Sequence, residues 1–272
     1  MEVEGVDGRA LTYDVAGEGV PVVLIHGSWG ERQTWGFVIP GLAESFRVIS
    51  YDRRGHGEST APPDAGTVHD DVADVVRLID SLGDGRANVV ASSYGACIAL
   101  RLAAAHPERV AKMVCHEPPM LGVLDADDDG KAIADEERRK LGEVRQILER
   151  GEYAEAAVYF VERVAFGPGM WSELPPPQQQ MFVDHAPTFL GELRDSDALG
   201  ADLDSLTQVS TPVLLTHGEQ SPAFFAPIIE RLGRLLPNAR RRLLPGTGHV
   251  PHMTHPDEYV PVVRDFLLEQ GR

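Results

Sequence analysis

Residues 87–106 read ANVVASSYGACIALRLAAAH, an apolar run with β-branched residues that gives way to an alanine- and leucine-rich stretch of helical composition. The change falls at Ala91-Ser92-Ser93-Tyr94-Gly95, where small side chains flank a central serine. A strand that turns this sharply into a helix lifts the central side chain above the sheet. The flanking residues must be small because strand and helix approach closely there. Ser93 is therefore a candidate nucleophile, and the plainer alternative is a serine that caps a helix. Ala91 stands where glycine is the commoner residue at such a turn.

The same alternation extends to both sides. Runs rich in β-branched residues at 20–27, 46–52, 109–117, 211–218 and 239–246 are separated by helical patterns, among them Val68, Val72, Val75, Val76, Ile79 and Leu82. This predicts an α/β fold whose mostly parallel sheet is covered on both faces. The leading segment VDGRALTYDVAGEG (6–19) turns at Asp7-Gly8 and at Gly17-Glu18-Gly19, which predicts an antiparallel hairpin on the sheet edge. From Pro118 to Leu206 the strand rhythm stops, and charge-rich helical sequence takes over, broken by GPG (167–169) and LPPPQQQ (174–180). That length is too great for a loop. The predicted organisation is a core of residues 1–118 and 207–272 with a helical cap, or lid, of residues 119–206, in which Pro175 to Pro177 connect two helices.

A chain of 272 residues with 43% hydrophobic content supports one core with an insertion better than two full domains. Its 25 basic and 42 acidic residues give a formal net charge of -17, which repels phosphate backbones and anionic lipid. Arg240, Arg241 and Arg242 are too short a run to offset this and read as the exposed start of a strand. Neither nucleic acid nor a membrane is an expected partner. The opening MEVEGVDGRA lacks the cationic and apolar segments of a signal peptide, and Cys97 and Cys115 fall in predicted buried elements as free thiols, so a cytoplasmic protein is expected.

Two further segments bear on Ser93. LIHGSWG (24–30) places a glycine-bounded loop after a strand, where the Ser28 backbone N–H can face a substrate carbonyl; the Tyr94 N–H would be the second donor of an oxyanion hole. LPGTGHVPH (244–252) places His249 after another strand, as the candidate general base.

With HGSWG, Trp35, YDRRGHGES (51–59), ASSYG and GTGHVPH in this order, the chain resembles the α/β-hydrolase fold family over nearly its whole length. The resemblance implies an eight-stranded, mostly parallel sheet flanked by helices, a helical cap inserted after the sixth strand, and a nucleophile, an acid and a histidine in that chain order. A serine at position 93 separates the chain from the family's epoxide hydrolases and haloalkane dehalogenases, which use a carboxylate nucleophile.

The acid is missing from its usual place. In many relatives an aspartate stands three residues after the glycine that closes the seventh strand, and in LLTHGEQSPAFF (214–225) that residue is Ser221. Three explanations compete. Glu117 in VCHEPP (114–119) could supply the acid from the preceding strand, as in some relatives; Glu219 could reach back; or a dyad could operate, or hydrolysis could be lost. Glu117 is preferred because it lies on the carboxyl edge of the sheet and Pro118-Pro119 fix its backbone direction.

The expected activity is cofactor-independent hydrolysis of a small or medium carboxylic ester, lactone or thioester with an apolar portion, with Ser93, His249 and Glu117 as catalytic residues and Ser28 and Tyr94 as oxyanion donors. The alternatives are a C–C bond hydrolase, lyase or cyclase on the same scaffold, or a non-catalytic small-molecule receptor. Met120, Phe160, Phe166, Trp171, Met181 and Phe182 are available for an apolar roof.

Two patterns suggest metals and are set aside. DADDDGKAIADE (125–136) puts Asp125, Asp127, Asp129, Gly130 and Glu136 in register with a calcium loop, yet no helix precedes it in the sequence pattern, so an acidic cap loop is expected. His249, His252 and His255 recur every three residues, but Pro251 and Pro256 interrupt regular geometry, so no zinc site is expected. His26 and His56 are expected to brace loops, His116 and His217 to line the site or pack, and RGHG (54–57) to form a tight turn.

Overall fold

The computed structural model describes residues 1–5, 8–59, 66–82 and 85–269. In chain order the elements are β1 (Glu2–Glu4), β2 (Ala10–Ala16), β3 (Pro21–Ile25), α1 (Ile39–Ala43), β4 (Arg47–Tyr51), α2 (Val68–Ser81), β5 (Ala87–Ser92), α3 (Tyr94–Ala105) and β6 (Val110–His116). Then come α4 (Asp128–Glu149), α5 (Tyr153–Phe160), α6 (Met170–Glu173), α7 (Pro176–Arg194) and α8 (Leu203–Thr207). The sheet resumes with β7 (Val213–Gly218), α9 (Phe225–Leu235), β8 (Ala239–Leu244), α10 (Pro251–Thr254) and α11 (Pro256–Leu268).

The apolar runs form one eight-stranded sheet in the order β1-β2-β4-β3-β5-β6-β7-β8. β1 pairs antiparallel with β2, and β2 with β4; the rest is parallel. The expected edge hairpin is β1 with β2, although Asp7 of its turn lies outside the described residues. The second expected turn carries β2 past its sequence neighbour β3 to lie beside β4. Gly17 there has φ 75°, and a Cβ would stand 2.3 Å from the Phe46 carbonyl oxygen, so glycine is required. β3 and β5 are buried along their full length, whereas β8 exposes Arg240, Arg241 and Arg242, charges that blunt the sheet edge.

Each helix follows its apolar stripe. α2 buries Val68, Val72, Val75 and Ile79, and starts from a capping box between Thr67 and Asp70. It packs with α3 and α9 on one face of the sheet, while Trp35, Tyr259, Val263 and Phe266 from the α1 and α11 side fill the other. A third apolar cluster gathers α4, α5 and α7 around Trp29, whose indole lies 5.0 Å from the Phe160 ring, 5.8 Å from Phe182 and 4.7 Å from Phe189.

Two expectations in the inserted segment are corrected. The acidic run at 125–136 is not a loop: Asp127 caps α4 by accepting the Gly130 N–H at 2.8 Å, and Asp128 and Asp129 occupy the first turn, where the helix dipole favours acids. Asp125 pairs with Arg138 and Asp127 with Arg231, each at 2.6 Å. A calcium-loop pattern and an acid-rich helix start share the same spacing here. Nor do Pro175 to Pro177 form only a connection, since Pro176 and Pro177 begin α7, in a first turn that has no use for their missing N–H. Among the described residues no helix is long and apolar enough to cross a membrane.

Candidate active site

β5 ends at Ser92 and α3 begins at Tyr94, leaving Ser93 alone to turn the chain at φ 54° and ψ -126°. Its N–H donates to the His116 carbonyl at 2.8 Å, and its own carbonyl accepts from the Ala96 N–H at 2.9 Å. The demand for small neighbours is measurable. A Cβ on Gly95 would stand 2.3 Å from the Ile25 carbonyl oxygen, and one on Gly27 would stand 2.9 Å from Ser93 Cβ. Ala91 lies buried in sheet register between Ile25 and Cys115.

Among the described residues, three without glycine's freedom have positive φ: Trp29 at 61°, Ser93 at 54° and Glu117 at 47°. They follow β3, β5 and β6, three neighbours in the sheet, and such conformations cost about 1–3 kcal/mol each. The surrounding structure holds them at one edge.

There Glu117 is fully buried and its Oε2 meets His249 Nδ1 at 2.6 Å. Oε1 accepts the Gly218 N–H of β7 at 2.7 Å. Burial disfavours the ionised carboxylate, but His116, the His249 hydrogen bond and the His249 charge outweigh it and bring the Glu117 carboxyl down to about 2. Ser221 adds a weaker pull from a hydroxyl outside ordinary hydrogen-bond geometry. His116 Nε2 lies 3.6 Å from Glu117 Oε2, and burial lowers its imidazole to about 4, so at neutral pH the ring is uncharged. Hydrogen bonding, and not an ion pair with His116, therefore holds Glu117 at neutral pH.

Phe225 stacks on the His249 ring at 4.8 Å and 15°. Glu219 is exposed and accepts the Gly246 N–H at 2.9 Å; it does not meet His249. Ser28, Ser93, Tyr94 and His249 all line one cavity of about 50 Å³. No hydrogen bond joins Ser93 to His249 among the described residues. The remaining wall is mostly apolar, with Phe160, Val164, Phe189, Phe224 and Phe225 prominent. Of the expected roof Phe160 reaches the inner cavity, and Phe166 lies edge-on to His249 at 6.1 Å and lines the neighbouring groove; Trp171, Met181 and Phe182 pack in or against the Trp29 cluster, and Met120 packs in the sheet core.

Histidines at 249, 252 and 255 do not converge: His252 packs against Trp35 with ring centroids 4.4 Å apart, and His255 Nδ1 meets Thr254 Oγ1 at 2.8 Å. The donor cluster that does form is His116, Glu117 and His249, with ligand atoms within 4.8 Å of one another. A metal there would have to displace the Glu117–His249 hydrogen bond. His26 accepts the Arg53 N–H on Nε2 at 3.0 Å and His56 Nδ1 meets the Arg54 carbonyl, so both brace loops as expected. His217 is half-buried away from the cavity wall.

Residues that sequence reasoning missed lie on the seam with α7. Glu192 lines the cavity, receives the Ser28 hydroxyl and pairs with Arg53 at 2.8 Å. Arg53 also pairs with Asp71 at 3.0 Å and lies 4.5 Å over the Tyr94 ring. Burial pushes the Glu192 carboxyl up, against the pull of Arg53 and Ser28. The doubled arginine of YDRRGHGES was the available signal: α2 answers Arg53 with Asp71 and Arg54 with Asp74, and Arg53 takes Glu192 of α7 as a second partner.

Comparison with known proteins agrees with this architecture. The chain is 33% identical to the hydrolase YraK of Bacillus subtilis (strain 168) over 54% of this chain and 56% of that one. It is 27% identical to 2-hydroxymuconate semialdehyde hydrolase of Pseudomonas sp. (strain CF600), over 93% of this chain and 89% of that protein. A solved structure of an N-acyl homoserine lactone degrading enzyme superposes with a TM-score of 0.79 at 25% identity, covering 98% of this chain and all (100%) of that one. The alpha/beta hydrolase family model matches residues 22–262. The chain belongs to the alpha/beta hydrolase family.

Proposed function

We propose that the protein is a serine hydrolase of a carboxylic ester, lactone or thioester, working through an acyl-enzyme. The observation that carries the reading is the buried 2.6 Å contact between Glu117 and His249 beside the cavity that His249 shares with Ser93. Ser93 Oγ attacks the carbonyl carbon as its proton passes to His249 Nε2. The oxyanion accepts hydrogen bonds from the Ser28 and Tyr94 N–H groups, the latter at the positive end of α3. His249 then gives the proton to the leaving oxygen or sulfur, and later takes one from the water that cleaves the acyl-enzyme. Glu117, ionised down to about 2, holds the Nδ1 proton and stabilises the imidazolium.

The inner cavity of about 50 Å³ suits a small acyl or alkyl group. A groove of about 850 Å³ that shares Glu137, Val164 and Phe224 with it leaves room for the rest of the substrate. The helical segment 119–206 acts as the cap in this reading. It needs no cofactor and involves no nucleic acid or membrane. Free buried thiols, with Cys97 pushed up to about 12 by burial, fit a cytoplasmic setting.

A second reading is hydrolysis of a bond other than an ester; the similarity to 2-hydroxymuconate semialdehyde hydrolase supports it, since a semialdehyde contains no ester. Intact-mass measurement after treatment with a fluorophosphonate tests the nucleophile. One adduct is expected, absent from Ser93→Ala; no adduct, or one that survives the substitution, rejects Ser93. Turnover of graded acyl esters, lost in Ser93→Ala, then separates the two readings.

A further inference from the structure

We infer that Glu137 selects substrates that carry a hydrogen-bond donor, an O–H or N–H, remote from the scissile carbonyl; this rests on the reading of the cavity as the Ser93 substrate site. Two carboxylates line that mostly apolar cavity. Those of Glu192 are both engaged, one oxygen by Arg53 and the other by Ser28. Glu137 differs. It is 6% exposed, and Oε1 accepts from Lys140 Nζ at 2.6 Å, while Oε2 is buried with no hydrogen-bond partner among the described residues.

A buried carboxylate oxygen without a donor is costly, and such an atom is explained when a ligand supplies the donor. Its location fits that role. Glu137 lies on α4 and borders both the inner cavity and the outer groove, so any substrate that extends from Ser93 toward the groove passes it. Lys140 neutralises the first oxygen from one side, and the second offers an acceptor that a plain alkyl chain cannot satisfy and that a carboxylate-bearing chain would meet with repulsion. The substrate class is thus an ester or lactone that bears a hydroxyl, amide N–H or ammonium, and not a dicarboxylic half-ester.

The test is protection of Ser93 from fluorophosphonate labelling, read by intact mass, with hexan-1-ol, 1,6-hexanediol, 6-aminohexan-1-ol and 6-hydroxyhexanoate as competitors. In the wild type the diol and the amino alcohol should protect at concentrations about tenfold below hexan-1-ol, and 6-hydroxyhexanoate should protect least. Glu137→Leu should bring diol and hexan-1-ol together. Glu137→Gln, whose amide oxygen stays with Lys140 and so places its NH2 where Oε2 was, should abolish the advantage of the ammonium. The same order in Glu137→Leu as in the wild type, including no protection by any competitor, overturns the inference. A wild type that takes no label at all rejects the Ser93 assignment itself, and the inference with it.

Discussion

The loops after β6 and β7 stand side by side at the carboxyl edge of the sheet, and they divide one task unequally. The β6 loop delivers a charge: Glu117, buried at φ 47°. Its neighbour delivers the setting for that charge, in the Gly218 N–H that Glu117 accepts at 2.7 Å and the Phe225 ring that stacks on His249. Adjacent parallel strands lie only about 4.8 Å apart, so a side chain from either loop can reach the same histidine. The site therefore constrains where the carboxylate is, and leaves open which strand supplies it. Ser221 is small enough to leave that space to Glu117, and a Cβ on Gly218 would stand 2.7 Å from the Ser221 hydroxyl.

The largest effect should come from the charge itself. Glu117→Gln is expected to lower kcat by about 10³- to 10⁴-fold with little change in KM, since an amide cannot stabilise the imidazolium. If kcat of this variant stays within threefold of wild type, the division between the loops collapses into a dyad. Next comes the setting: Phe225→Ala should lower kcat/KM by about three- to tenfold through loss of ring stacking on His249, with Ser93 still labelled by a fluorophosphonate.

Acid stability sharpens the contrast further. His116 and His252, lowered by burial to about 4 and about 3, stay neutral in the fold down to those values, while the unfolded chain binds their protons from pH about 6.5 downward. Glu117 ionises at about 2 in the fold and near its ordinary value when unfolded, so its contribution is present above pH about 4.5 and fades as pH falls toward 2. All three shifts favour unfolding in acid. Urea titrations should show stability falling from pH about 6.5, more steeply below about 4.5. In Glu117→Gln that added steepening, up to about 1.4 kcal/mol per pH unit, should be missing. The smallest effect is assigned to Glu219→Gln, which should change kcat by less than about twofold, because its exposed side chain accepts only the Gly246 N–H among the described residues.

The same contrast explains what was legible in the sequence. Ser93, Glu117 and His249 each follow a strand within one to five residues, so their offset from a recognisable apolar run locates them on the sheet edge. Strand ends are set by local pattern. Phe225 was also in plain view, in LLTHGEQSPAFF, but its role depends on where α9 starts relative to the His249 loop. Glu137 and Glu192 lie on long amphipathic helices, where a glutamate reads as solvent-facing until the packing of α4 and α7 is known. The acidic run at 125–136 shows the opposite difficulty, a pattern specific in spelling that helix capping satisfies equally well.

Among the described residues His249 has Glu117, and no other carboxylate, as its partner. Proton NMR of the Nδ1–H of His249 tests it directly. A strongly downfield signal is expected in the wild type and in Glu219→Gln and should be absent from Glu117→Gln; a signal that persists in Glu117→Gln and vanishes in Glu219→Gln would make Glu219 the partner instead.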